Sequence, residues 1–381
     1  MYKRIQHFQE RGEQSCFLWG ARQTGKSTLI SSLFPDSPRY DLLLSNQFAR
    51  LSARPELLRE ELLATPPRAG MPVVIDEVQK VPQLLDEVHW LIENRKLAFV
   101  LCGSSARKLK RGGANLLGGR AIRYELYPLV SAEINDFDLS RALNHGLLPR
   151  HYIVDQPRRL LQAYVSDYLK EEIAAEALTR NIPAFARFLE AAAFCNGEVV
   201  NYQNIGRDCG VSGPTVKAYF EILEDTLMGR FVPAYRRKPK RRIVESPRFY
   251  YFDVGIANHL LKRGTISIGG EAFGKAFEHF IFQELVAHSH YSGKDYEIAY
   301  WRTSSGLEID FVLGDRKVIV EVKATDRAAS HHFRGLSAFR EDYTVGRAIL
   351  VSLDPRPRET DGTLILPWKT FLERLWKNEI V

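Results

Sequence analysis

No apolar run in this chain approaches the roughly 20 residues that cross a bilayer, and the opening stretch, MYKRIQHFQERGEQ, lacks the apolar core of a secretory signal. Four cysteines, Cys16, Cys102, Cys195 and Cys209, stand far apart, with no CxxC pair and no histidine at metal-ligand spacing. That excludes a sequence-evident zinc ribbon or disulfide scaffold and predicts reduced core thiols. An extended polar tail is missing as well. These absences lead to an expected cytoplasmic location with no membrane partner. A length of 381 residues exceeds one ordinary core, so several domains are expected. The formal net charge of +7 is moderate but unevenly spread, because YRRKPKRRIVESPR, 235–248, concentrates the cations.

The first third carries a nucleotide-binding pattern. In CFLWGARQTGKSTLISSLF, an apolar strand at 16–19 leads into Gly20, Ala21, Arg22, Gln23, Thr24, Gly25, Lys26, Ser27 and Thr28, then a helix. This is GxxxxGK[ST] in a strand–loop–helix setting, where backbone N–H groups and a helix N-terminus surround phosphates. Lys26 is expected to reach the β- and γ-phosphates of ATP, and Ser27 to ligate Mg²⁺. In MPVVIDEVQKVP a buried strand, 73–75, ends in Asp76 and Glu77. Asp76 then holds the Mg²⁺ ion and Glu77 polarises the attacking water, as in a Walker B motif. A further strand, 97–102, ends in Gly103, Ser104 and Ser105, where either serine is a γ-phosphate sensor or simply part of a turn. Arg120 in LLGGR is the first choice for an arginine acting on a neighbouring subunit's nucleotide, with Arg107 and Arg123 as competitors.

GARQTGKST, VVIDEVQ, the GSS strand tip and GGR…ELYPL resemble the AAA-type ATPases that carry a C-terminal domain of unknown function 4143. The resemblance spans essentially the whole chain. It implies an additional-strand AAA+ core, with the Walker B and sensor strands beside the P-loop strand. HGLLPRHY, 145–152, is similar to the family's GGLP stretch, which would place Pro149 near the adenine in a helical lid.

Further along, 130–190 is mostly helical in pattern, and LLQAYVSDYLKEEIAAEAL reads as an amphipathic helix. A helix around 202–209, a turn at 210–212 and a second helix capped by Ser212 give a helix-turn-helix layout. Strands near 231–235 and 248–252 would form a β-wing carrying the basic run. Arg236, Arg237, Lys238, Lys240, Arg241 and Arg242 are therefore candidate DNA phosphate contacts, with a solvated loop as the alternative. Glu221, Glu224 and Asp225 make the second helix acidic, which argues for shape reading over base reading.

The last third opens with the helix pattern GGEAFGKAFEHFIFQELVAHSH, then EIDFVLGDRKVIVEVKAT. A helix with Glu278, a strand with Asp310 and a strand with Glu321-x-Lys323 match the PD-(D/E)xK nuclease core, with Ile309 in place of proline. Glu321 and Lys323 share a sheet face. Asp310 and Glu321 would hold a second Mg²⁺, or Mn²⁺, with Lys323 steadying developing charge. Whether this domain cuts, or only binds as a relic, stays open.

The expected class is α/β multidomain: an AAA+ P-loop NTPase core (1–128), a helical lid (129–190), a winged helix-turn-helix (191–262) and a PD-(D/E)xK nuclease-like α/β domain (263–381). The leading expectation is an ATP-hydrolysing homo-oligomer, as a hexamer, remodelling or moving on duplex or branched DNA. A nucleotide-gated signalling or defence switch and a Mg²⁺-dependent endonuclease regulated by ATP are the alternatives.

Overall fold

The computed structural model describes residues 2–8, 13–105, 117–169, 181–236 and 241–381. The chain forms two compact units: Arg4–Pro128 with Asp225–Met228, and Met1–Lys3 with Leu129–Glu224 and Gly229–Val381.

The first unit is built on five parallel strands: β1 (Ser15–Trp19), β2 (Arg39–Asp41), β3 (Val73–Asp76), β4 (Phe99–Gly103) and β5 (Ala121–Glu125). Their spatial order is β2-β3-β4-β1-β5. The uninterrupted apolar runs of β1, β3 and β4 follow from burial on both faces, which a parallel sheet covered by helices requires. Phe17, Val73, Ile75, Phe99 and Leu101 are fully buried there. Of the two strands expected beside β1, only β4 is its neighbour, and β3 lies beyond it. Because all five strands are parallel, the C-terminal ends of β1, β3 and β4 lie along one edge of the sheet.

The second unit begins with short helices, Leu139–His145, Pro149–Ile153 and Arg158–Ala163, followed by a π-helical turn, Tyr164–Leu169. The helix expected from 160 onward is thus continuous as far as it lies within the described residues, changing to π-helical winding at Tyr164. Helices Ile182–Phe194, Tyr202–Cys209 and Gly213–Asp225 come next. Asn201 caps the second by accepting from the N–H groups of Gln203 and Asn204, and Ser212 Oγ accepts from Thr215 N–H at 3.3 Å. An antiparallel pair follows, β6 (Gly229–Val232) with β7 (Arg248–Tyr251), each shorter than its expected strand. Helix Val254–Leu260 and the long helix Phe273–Tyr291 lead to a six-stranded mixed sheet. Its strands are β8 (Ile298–Arg302), β9 (Glu308–Leu313), β10 (Val318–Val322), β11 (Arg347–Ser352), β12 (Arg358–Thr360) and β13 (Thr363–Pro367), in the order β12-β13-β11-β10-β9-β8. Among the described residues no helix is long and apolar enough to cross a membrane, and all four cysteines are free thiols.

Candidate functional site

The loop between β1 and helix Lys26–Leu33 turns through two left-handed residues, Gln23 (φ 65°) and Gly25 (φ 96°). Gly25 supplies the second at no steric cost. Lys26 is 6% exposed, and its Nζ donates to the carbonyls of Gly20 (2.7 Å) and Ala21 (3.1 Å). Burial lowers its pKa, and Glu77, Cys102 and Asp76 act against that shift. The ammonium is thus held by two carbonyls of its own loop. Thr24 is fully buried and bonds the Ala21 carbonyl at 2.8 Å, while Arg22, Gln23, Ser27 and Thr28 are exposed. Arg4, which no motif marked, donates to the Thr24 and Tyr127 carbonyls and so braces the loop from outside.

Ser27 Oγ donates to Asp76 Oδ2 at 2.8 Å. A hard cation suits this pair, a hydroxyl and a carboxylate at the end of a phosphate-binding loop. These two side chains would hold Mg²⁺, which supplies charge neutralisation to the phosphates.

Glu77 is left-handed (φ 56°, ψ 43°), a conformation that costs a non-glycine residue about 1–3 kcal/mol and is retained where it aims a side chain. Its N–H donates to Asp76 Oδ1 at 3.1 Å. Gln79 Nε2 donates to Glu77 Oε2 and to Ser104 Oγ (3.2 Å), and Ser104 Oγ reaches the same Glu77 oxygen at 3.5 Å. Ser105 instead bonds the Asp225 carbonyl at 3.3 Å, so the two serines point to different partners and Ser104 is the one at the carboxylate. Gln79 escaped the sequence reading, although its place two residues past Glu77 in DEVQ was a signal. Gly103 makes room for it: a Cβ there would lie 2.4 Å from Gln79 Oε1. Replacing Gln79 with alanine should cut ATP turnover about tenfold, the lower end for losing a group that orients a catalytic side chain, without weakening ATP binding. Single-turnover hydrolysis beside equilibrium nucleotide binding tests this, and a matching loss in both would remove Gln79 from the orienting role.

Of the candidate finger residues, Arg120 pairs with Glu93, Arg123 lies exposed on β5, and Arg107 is outside the described residues. Pro149 opens the helix Pro149–Ile153 in the second unit.

In the second unit, the register of β9 with β10 pairs Phe311 with Val320, which sets Asp310 opposite Glu321. Both are buried, and Lys323 Nζ lies 2.6 Å from Glu321 Oε1. Asp310 Oδ2 accepts from Val322 N–H at 2.8 Å. The centre of the cluster is a residue the motif did not contain. Arg248, at the start of β7 and 3% exposed, directs its guanidinium to Glu308 (2.9 Å), Glu278 (3.5 Å) and Asp310 (3.7 Å) and stacks over Tyr300 at 4.7 Å. Tyr250 Oη donates to Glu278. Burial opposes the Arg248 charge, but Tyr250 and the surrounding carboxylates more than offset it, and its pKa is raised. Burial and the nearby Asp310 push both Glu278 and Glu321 up, so these two carry protons more readily than free glutamates.

The expected second metal does not fit this arrangement. Arg248 already occupies the space between Glu278, Glu308 and Asp310 as their shared ion-pair partner, and Lys323 pairs with Glu321. Among the described residues no group of three or more His, Cys, Asp or Glu is disposed to hold an ion. A divalent cation here would have to displace or repel a buried guanidinium, so no chemistry is routed through one.

The basic run divides. Arg241 donates to Asp342 Oδ1 (2.6 Å) and the Ala338 carbonyl (2.7 Å) and pairs with Glu341, so it anchors the helix Arg334–Asp342 and is not a free cation for DNA. Arg236 pairs loosely with Glu245 at 3.4 Å. Arg242 lies in the chain just before a backbone bridge at Ile243. Arg237, Lys238 and Lys240 are outside the described residues.

Residues 12–135 match the family described as an AAA domain, residues 136–267 a domain of unknown function 8612, and residues 273–371 domain of unknown function 4143. Two uncharacterised proteins, from Mycobacterium tuberculosis and Mycobacterium bovis, are each 23% identical over 318 residues, covering 81% of this chain and 70% of theirs. Among solved structures, a Walker-type ATPase of Pyrococcus abyssi is 16% identical, covering 64% of this chain and 90% of that one, with a TM-score of 0.43. The Orc1 protein of Aeropyrum pernix, solved in complex with DNA, is 11% identical and covers 66% of this chain and 87% of its own, with a TM-score of 0.25. With its P-loop sheet in the first unit and a separate mixed sheet in the second, the chain carries an AAA domain followed by a C-terminal domain of unknown function 4143.

Proposed function

We propose that this protein hydrolyses ATP at the loop of Lys26 and Ser27 and uses the cycle to act on duplex or branched DNA. The observation that carries the ATPase half is the convergence of Lys26, the Ser27–Asp76 pair and the Glu77–Gln79–Ser104 group at one edge of a parallel sheet. Lys26 and the loop N–H groups bind the triphosphate, and Glu77 orients and polarises the attacking water. Ser104 lies where a γ-phosphate can be sensed. Arg120 is the proposed finger. Its exposed pairing with Glu93 is weak enough to be exchanged for a neighbouring subunit's nucleotide, which makes a homo-oligomer, as a hexamer, the working assembly.

Three helices followed by the β6–β7 pair support a winged helix for 191–262, with the segment around Arg236, Arg237, Lys238, Lys240 and Arg242 as its phosphate-contacting wing. Residues 129–190 are read as the lid, and 263–381 as a nuclease-like fold that binds without cutting. The second reading, a nucleotide-gated switch, is favoured by Arg241 being spent on Asp342 and by the acidic end of helix Gly213–Asp225.

The test is ATP turnover with and without linear and branched DNA over a range of salt, with the same samples scored for strand cleavage. Turnover should rise with DNA, and the rise should collapse steeply as salt increases, because phosphate contacts release counterions. No cleavage should appear with Mg²⁺ or Mn²⁺. DNA-independent turnover with retained nucleotide would instead favour the switch, and Mg²⁺-dependent cutting would restore the regulated endonuclease.

A further inference from the structure

Away from both clusters, the second unit contains an open cleft of about 660 Å³ between the helices Leu139–His145, Arg158–Ala163 and Val254–Leu260. It lies within the stretch that matches domain of unknown function 8612. Four arginines line it, Arg141, Arg158, Arg159 and Arg263, against two aspartates, Asp138 and Asp155.

The aspartates are already engaged. Asp138 caps the helix Leu139–His145 by accepting from Arg141 N–H at 3.0 Å, and Asp155 pairs with Arg141 at 3.2 Å. Arg263 is half-buried, and among the described residues its side-chain partner is neutral, Asn258 Oδ1 at 3.3 Å. Among the described residues no carboxylate lies within ion-pair distance of Arg158, Arg159 or Arg263. Burial disfavours the charge on Arg263 and Glu271, beyond ion-pair distance, offsets that only in part, so an anion in the cleft would stabilise the cation further.

The floor of the cleft is fixed before any ligand arrives. Asn258 Nδ2 donates to the Leu143 carbonyl at 3.0 Å, joining two of the three helices. Buried Asp253 accepts from Leu147 N–H (2.6 Å) and Ile256 N–H (3.0 Å) beneath them. Asn144 exchanges two bonds with the backbone of Ile266 (2.7 and 2.9 Å), which pins the loop that carries Arg263. Arg263 is therefore placed by a rigid frame, not by a floppy surface arm.

We propose that this cleft binds a phosphate-bearing anion through Arg263, with Arg158 and Arg159 as the outer contacts. The ligand is an anionic phosphoryl group, which matches the surplus of cations in the cleft and the planar fork of a guanidinium. It can arrive as a small phosphorylated molecule or as a nucleic-acid backbone.

The experiment uses the full chain carrying Lys26→Ala, so that the loop in the first unit does not take up the probe. Pyrophosphate binding is followed by calorimetry in that chain and again with Arg263→Gln or Arg158→Gln added. One saturable site is expected, with affinity falling at least tenfold for Arg263→Gln, and several-fold for Arg158→Gln, whose exposed position carries little risk to folding. A short single-stranded oligonucleotide is titrated in parallel. If Arg263→Gln weakens both probes alike, the anion is a strand phosphate; if it weakens pyrophosphate alone, the anion is a small molecule. Saturable binding that neither substitution alters, or no binding at millimolar pyrophosphate, overturns the proposal.

Discussion

A chain carrying Glu77→Gln is expected to bind ATP as tightly as the unsubstituted protein and to hydrolyse it roughly 10²–10⁴-fold more slowly. The expectation follows from where Glu77 stands. Its carboxylate is held by Gln79 Nε2 and Ser104 Oγ, and its backbone is twisted into the left-handed region at the end of β3. The loop N–H donors do not depend on it, and Lys26, whose charge Glu77 helps to support, keeps its bonds to the Gly20 and Ala21 carbonyls without it. Glutamine keeps the shape and one acceptor but cannot polarise water as a carboxylate does. Lys26→Ala should behave in the opposite way. With the ammonium gone, phosphate charge has no cation in the loop, and both binding and turnover should disappear. Filter binding or fluorescent-nucleotide titration, read beside steady-state phosphate release, separates the two. A Glu77→Gln chain that still turned over within threefold of the original would remove Glu77 from the chemistry. A Lys26→Ala chain that kept its nucleotide would sink the P-loop assignment.

The phosphate loop was legible because its signal is local. Gly20, Gly25, Lys26 and Ser27 fall within one loop, and the geometry that makes them useful is written in glycine positions and a strand–helix change. Asp76 and Glu77 were legible for the same reason. The sheet order was not, because nothing in the run 97–102 says that its strand inserts between β1 and β3. Contacts between distant segments were the least visible. Arg241 read as one more cation in a basic run, while Asp342, a hundred residues further on, is what it binds. Arg248 read as the tail of the same run. Its signal was its context, the opening residue of an aromatic strand, RFYY, all of whose residues are buried. A charged residue in such a strand must meet opposite charge, and Glu278, Glu308 and Asp310 come from a helix and a strand that sequence distance hides.

That buried guanidinium makes the second large prediction. Arg248→Met preserves much of the side-chain volume but leaves Glu278, Glu308 and Asp310 facing one another, with Lys323 and, 3.8 Å from Glu308, Arg302 as the remaining cations. Removing one partner from a buried ionic cluster costs about 3–5 kcal/mol, because the charges left behind are uncompensated. The loss should depend on pH in a defined sense. Without Arg248 the native carboxyls gain a stronger hold on protons, so between the ordinary carboxylate range and their raised values the folded chain binds more protons than the unfolded one. Stability of the variant therefore falls as pH rises through that window and recovers as pH is lowered. Glu278 and Glu321, already pushed up by burial and by Asp310, set the direction for the unsubstituted protein as well, though Arg248 keeps its slope shallower. Urea midpoints measured at pH 5 and pH 8 for both chains test the point, with the gap expected to widen at pH 8. A gap of equal size at both values would mean that Arg248 contributes packing alone. A Mg²⁺ titration of the same two chains then asks the remaining question of the cluster. If Arg248 occupies the position a cation would take, Mg²⁺ should leave the midpoint of the unsubstituted chain unchanged and raise that of Arg248→Met, whose freed carboxylates are the first in this domain able to receive it.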